Sequence, residues 1–138
     1  MGFAVQDTNS QISFAGCCQF IVDTELEGHL KALSIALRCI QMENIIIHKA
    51  FFSSLELLKL MEDEGRDCTW RLQEQRVDVQ RLLQEAGHPE LLAVPRQWNS
   101  LALSLADRGL KATQLSLYHQ GLDRPRWLMR TIERSGFI

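Results

Sequence analysis

Stepping alternately by four and three residues from Leu26, the chain meets Leu30, Leu33, Leu37, Ile40, Asn44, Ile47, Phe51, Ser54, Leu58, Met61, Gly65, Cys68, Leu72, Gln75, Val79, Leu82 and Ala86. Only Asn44, Ser54, Gly65 and Gln75 interrupt the apolar series. A two-in-seven seam held this far predicts one long helix over 24–86, about 90 Å at 1.5 Å per residue, with a partner helix along it, because an isolated helix would leave the stripe in water. Asp23 or Thr24 suits the N-cap, and Glu25 and Glu27 suit the positive end of the helix dipole. Gly65 allows either a bend or a hairpin turn; Met61 and Cys68 keep the phase across it, so a continuous or gently bent rod is the expectation. Asn44, on the seam, either sets register through a buried polar pairing or stays wet there.

Between residues 45 and 61 the apolar circumference widens beyond what one partner helix covers. Ile46, Ile47, Phe51, Phe52, Leu55, Leu58 and Met61 are therefore the candidate interaction face, directed at two neighbours or a larger apolar surface. The rod stops at "AGHPE": Gly87 fits the left-handed position just past a helix, and Pro89 cannot continue the hydrogen-bond ladder. A turn over 87–96 then leads to a helix over 97–120, folding back antiparallel, and a short basic helix over 123–134. Residues 1–22 show no 3.6-residue period and are expected as a loosely structured arm, although "ISF" and "CQFIV" are apolar enough to form a short strand. The fold class read from this pattern is all-α: an elongated helical hairpin or bundle in one helical domain, 23–138, that self-associates as a coiled coil.

Composition changes this picture little. The 138 residues carry 15 basic and 17 acidic side chains, a net charge of −2, which gives no overall pull toward nucleic acid or an anionic membrane. Arg124, Arg126, Arg130 and Arg134 form a local basic patch that suits an anionic partner or a solvated helix end. Nucleic acid is the weakest candidate partner, carried by that patch alone. No apolar run approaches the roughly 20 residues of a bilayer-spanning helix, the first residues lack a secretory pattern, and a cytoplasmic location is expected.

Candidate chemistry is sparse. Cys17, Cys18, Cys39 and Cys68 match neither a zinc site nor a disulfide framework, and His29, His48, His88 and His119 form no ligand pattern. There is no nucleophile elbow, phosphate loop or His-Glu-x-x-His motif. No catalytic residue, metal or cofactor is expected, and the chain is read as noncatalytic.

From Arg81 to Gln120 the sequence "RLLQEAGHPELLAVPRQWNSLALSLADRGLKATQLSLYHQ" resembles the phasin family of polyhydroxyalkanoate granule-coating proteins, over about residues 30–120. Ala86, Pro89, Glu90, Leu91 and Leu92 stand where that family ends its long amphipathic helix, and Tyr118 matches a Tyr near the end of the next helix. The four cysteines, three tryptophans and arginine-rich tail depart from the family's composition. The resemblance implies a noncatalytic coat protein whose apolar helical face adsorbs to the polymer granule or to other protomers. The alternative is a helical adaptor, chaperone or regulatory module that takes a protein partner by helix packing. Expected partners are thus a second copy, a polyhydroxyalkanoate surface or a helical protein.

Overall fold

Two helices of this chain end in the same way. After α1 (Glu25–Met42), the amide of Ile45 donates to the carbonyl of Ile40 at 3.2 Å and that of Asn44 to Gln41 at 3.0 Å, with Asn44 at φ 55°. After α3 (Trp70–Glu85), His88 donates to Leu83 at 3.0 Å and Gly87 to Gln84 at 3.2 Å, with Gly87 at φ 107°. Both are Schellman closures, in which a left-handed residue turns the chain so that crossed amides satisfy the last free carbonyls. Asn tolerates the left-handed region better than other side chains that carry a Cβ. Asn44 is therefore a stop signal, and the expected single helix over 24–86 does not exist.

The computed structural model describes residues 1–62, 70–111, 114–120 and 124–134. Among them lie five helices and five strands in two sheets, which corrects the all-α expectation to a mixed α/β fold. The chain divides into two units, Met1–Phe20 with Gln97–Ile138, and Ile21–Arg96.

In the Ile21–Arg96 unit, Thr24 caps α1 by accepting the Glu27 amide at 3.1 Å. β3 (Lys49–Phe52) follows the Asn44 stop, where a run of β-branched isoleucines favours extended chain. Ser54 accepts the Leu57 amide at 3.1 Å and caps α2 (Leu55–Glu62). The chain then passes through α3 into β4 (Glu90–Ala93), which pairs parallel with β3 in the register Lys49↔Glu90, Ala50↔Leu91, Phe51↔Leu92, Phe52↔Ala93. Parallel strands need such a long crossover. Leu30 and Leu37 of α1, Leu57, Leu60 and Met61 of α2, and Val79, Leu82 and Leu83 of α3 make one core. Six seam residues lie in this core and four more, Leu26, Leu33, Ile47 and Leu72, pack against it, so much of the seam meets another segment of the same unit.

Arg76 of α3 is buried with this core and donates from Nε to the carbonyl of Leu60 at 2.8 Å. A cation at the C-terminal turn of α2 meets carbonyls that the helix itself leaves free. On the outer side, Asp78 receives Arg38 of α1 at 2.5 Å and Arg81 at 2.8 Å, while Gln41 reaches Glu85 at 2.6 Å. These contacts lace α1 to α3 along their exposed edge.

In the other unit the expected loose arm is a β-hairpin. β1 (Gly2–Gln6) pairs antiparallel with β2 (Ile12–Cys17), and β5 (Ser116–His119) joins the far side of β2. The turn is held by Asp7, whose Oδ1 accepts the amides of Asn9 at 2.9 Å and Gln11 at 3.0 Å, a side chain imitating a backbone turn. α4 (Ser100–Gly109) lies so close to β1 that a Cβ at Gly2 would strike the amide of Ala106 and the carbonyl of Ala102. α5 (Arg126–Arg134) adds Leu128 and Ile132 to a core with Ile12, Ala15, Cys17, Leu101 and Leu105. The turn expected over 87–96 contains β4, and the helix expected over 97–120 is the shorter α4 followed by β5. Proline explains part of this: Pro95 precedes a single 3-10 turn, Arg96–Asn99, that leads into α4.

Candidate functional site

Side chains alternate across a strand, so β3 and β4 present two unlike faces. Phe52 and Leu91 pack against the helical core of their unit. By the same register Lys49 and Phe51 share the opposite face with Glu90 and Leu92. There Phe51 is 55% exposed and Leu92 half-buried, with Lys49 and Glu90 both exposed and side by side. At the start of the strand pair Ile46, 60% exposed, lies over Gly87, and just beyond β3 Leu55, 58% exposed, opens α2. The open face thus carries two apolar residues, Phe51 and Leu92, beside two of opposite charge, Lys49 and Glu90, on a strand pair whose other face packs against the helical core.

The seven residues expected to form one interaction face are thus divided. Ile46, Phe51 and Leu55 are exposed; Ile47 and Phe52 pack against the core, Leu58 is half-buried, and Met61 is within the core. They cannot all share a helical face because β3 interrupts the helix. Asn44 is exposed just past α1, in the left-handed conformation that ends the helix. Gly65 and Cys68 lie outside the described residues. The local signals for this strand pair are the three isoleucines Ile45, Ile46 and Ile47 that follow the left-handed Asn44, and Pro89 directly before "ELLA".

The basic patch is partly assembled. Arg126, Arg130 and Arg134 follow one another at four-residue steps and are exposed on α5, while Arg124 precedes the helix and is half-buried, its Nε and Nη2 without a hydrogen-bond partner. Arg108 of α4 instead lies over the Trp127 ring at 4.4 Å, and Trp127 meets Tyr118 edge-on at 5.6 Å.

Tyr118 is hydrogen-bonded to both Ser116 and the Cys17 sulfur; burial pushes the Tyr118 hydroxyl and the Cys17 thiol above their ordinary values. Cys17 lies in the core with Leu101 and Leu105 of α4, and Tyr118 packs against that core. Cys17, Cys18 and Cys39 are buried and none is in a disulfide. No group of three or more His, Cys, Asp or Glu among the described residues is placed to hold a metal ion.

A cleft of ≈ 250 Å³ lies beside α1 and α3, bordered by Lys31, Ser34, Gln75 and Asp78. Asp78 is already committed to Arg38 and Arg81 there, and hydrogen bonding from Arg81 holds its carboxyl below the usual range, with burial opposing and Arg38 adding to the shift.

The chain matches no family model, no curated protein and no solved structure. Of the apolar series read from the sequence, Leu30, Leu37, Met61, Val79, Leu82 and Ala86 lie in the Ile21–Arg96 core, and Leu26, Leu33, Ile47 and Leu72 pack against it. No helix among the described residues is long and apolar enough to cross a membrane.

Proposed function

We propose that the chain is a noncatalytic protein-binding module that docks through the open face of β3 and β4. One observation carries the reading: Phe51, a large apolar side chain, stands exposed on a parallel strand pair whose other face is closed by its own helices. Parallel sheets are found almost only with both faces covered, because their strands are apolar on both sides. Leu92, level with Phe51 on the neighbouring strand, shares that face. Binding energy at such patches comes chiefly from a central aromatic ringed by neutral contacts, and Phe51 has that position here.

The test is photo-crosslinking in cells from a reactive residue placed at position 51, with position 74, an exposed glutamate on α3, as the comparison. A discrete adduct from position 51 and none from position 74 supports docking at this face. Equal labelling from both, or none from position 51, overturns it.

A further inference from the structure

We propose that the occupant of the open β3–β4 face is the same face of a second copy, related by a two-fold axis parallel to the strands. This rests on the binding role given to that face above and names its partner.

The argument is one of charge and register. β3 and β4 run in the same direction with Lys49 level with Glu90 and Phe51 level with Leu92. A two-fold axis running along the strands, midway between two stacked sheets, carries β3 of one copy over β4 of the other without reversing direction. Each Lys49 then comes over the partner's Glu90, and each Phe51 over the partner's Leu92, at the about 10 Å spacing of packed sheets. Two attractive charge pairs and two apolar pairs form together, which is the self-complementarity that an isologous contact demands. Sliding one copy by a residue along the strand, or turning the axis across the strands, loses this match. The four strand positions on this face are one cation, one anion and two apolar residues, and only the axis along the strands pairs all four favourably at once.

The contact is small compared with the 1,200–2,000 Å² total of stable interfaces, so a weak, rapidly exchanging dimer is expected, with a Kd of order 10 μM or weaker. Sedimentation equilibrium of the full chain up to about 1 mM is the measurement. Wild type is expected to dimerise, and Lys49→Glu alone or Glu90→Lys alone to weaken the dimer by about tenfold or more, since each change sets like charges against each other twice.

The deciding sample is an equimolar mixture of the two single variants. One copy then carries two glutamates and the other two lysines, so the mixture is expected to regain a dimer that neither variant forms by itself. Repair of a contact within one chain cannot produce that result. Circular dichroism and thermal melting of each variant confirm that these exposed substitutions leave the fold intact.

A wild type that stays monomeric throughout overturns the proposal, as does a dimer indifferent to both charge changes, or a mixture that fails to recover association. If wild type is monomeric while position 51 still crosslinks to a different protein, the second-copy proposal falls and the binding role stands.

Discussion

Phe51 and Phe52 are neighbours with the same side chain and opposite surroundings. Phe52 packs onto the core of its unit, with Leu91 on the adjacent strand doing the same, whereas Phe51 is left 55% exposed beside Leu92. The difference comes entirely from strand geometry: successive Cβ atoms point to opposite faces. A helical reading puts the two rings about 100° apart on one broad apolar surface; the strand sends them to opposite sides. What this teaches is that apolar content between residues 45 and 61 serves two purposes, one internal and one external, and that residue type alone does not separate them.

The contrast can be broken most severely from beneath. Leu82→Ala should lower unfolding free energy by about 3 kcal/mol, because Leu82 is fully buried in the core on which the closed face rests; urea denaturation measures it. Phe52→Ala should cost about 2 kcal/mol in the same assay, less than a fully enclosed ring because Phe52 is only partly buried. Gly87→Ala should cost roughly 1–2 kcal/mol, since the new Cβ would sit at a positive φ and 2.6 Å from the Ile46 side chain.

Two smaller effects sharpen the comparison. Asp78 has a carboxyl held below its ordinary range when folded, so its contribution is present above the unfolded carboxylate pKa and disappears as pH falls through the lower folded value. Asp78→Asn should therefore flatten the acid limb of stability against pH, by less than about 1 kcal/mol for so solvent-accessible a bridge. Phe51→Asn should change stability least, by no more than about 0.5 kcal/mol, while abolishing adducts captured from a crosslinker moved to position 55. A loss of stability at Phe51 as large as that at Phe52 would mean that the two faces are not distinct.

Several elements were legible in local chemistry. Thr24 precedes two glutamates and caps α1, with its hydroxyl bound to the Glu27 amide; Gly87 has the left-handed backbone that its place before Pro89 predicted. The arginines at 126, 130 and 134 lie on α5, opposite Leu128 and Ile132. Asn44 was harder to read because asparagine is compatible with both a polar seam position and a helix stop, and only the crossed amides of Ile45 and Asn44 reveal the second. The N-terminal hairpin did have a signal, Phe3 and Val5 alternating with polar or small neighbours, then Asp7 to Ser10, then Ile12 and Phe14. A five-residue strand is a short pattern beside a helical period that runs through most of the chain.

The sequence by itself determined the start of α1 after Thr24, the end of α3 before Gly87 and which faces of α1 and α3 are apolar, since caps, left-handed glycines and side-chain spacing act over a few residues. That these faces meet one another within one unit, that β3 separates Phe51 from Phe52, and that Arg76 reaches the end of α2 were decided only by tertiary structure. A heptad count cannot distinguish one long stripe needing an outside partner from two short stripes that bury each other, because both satisfy the same spacing; the turn at Asn44 chooses between them.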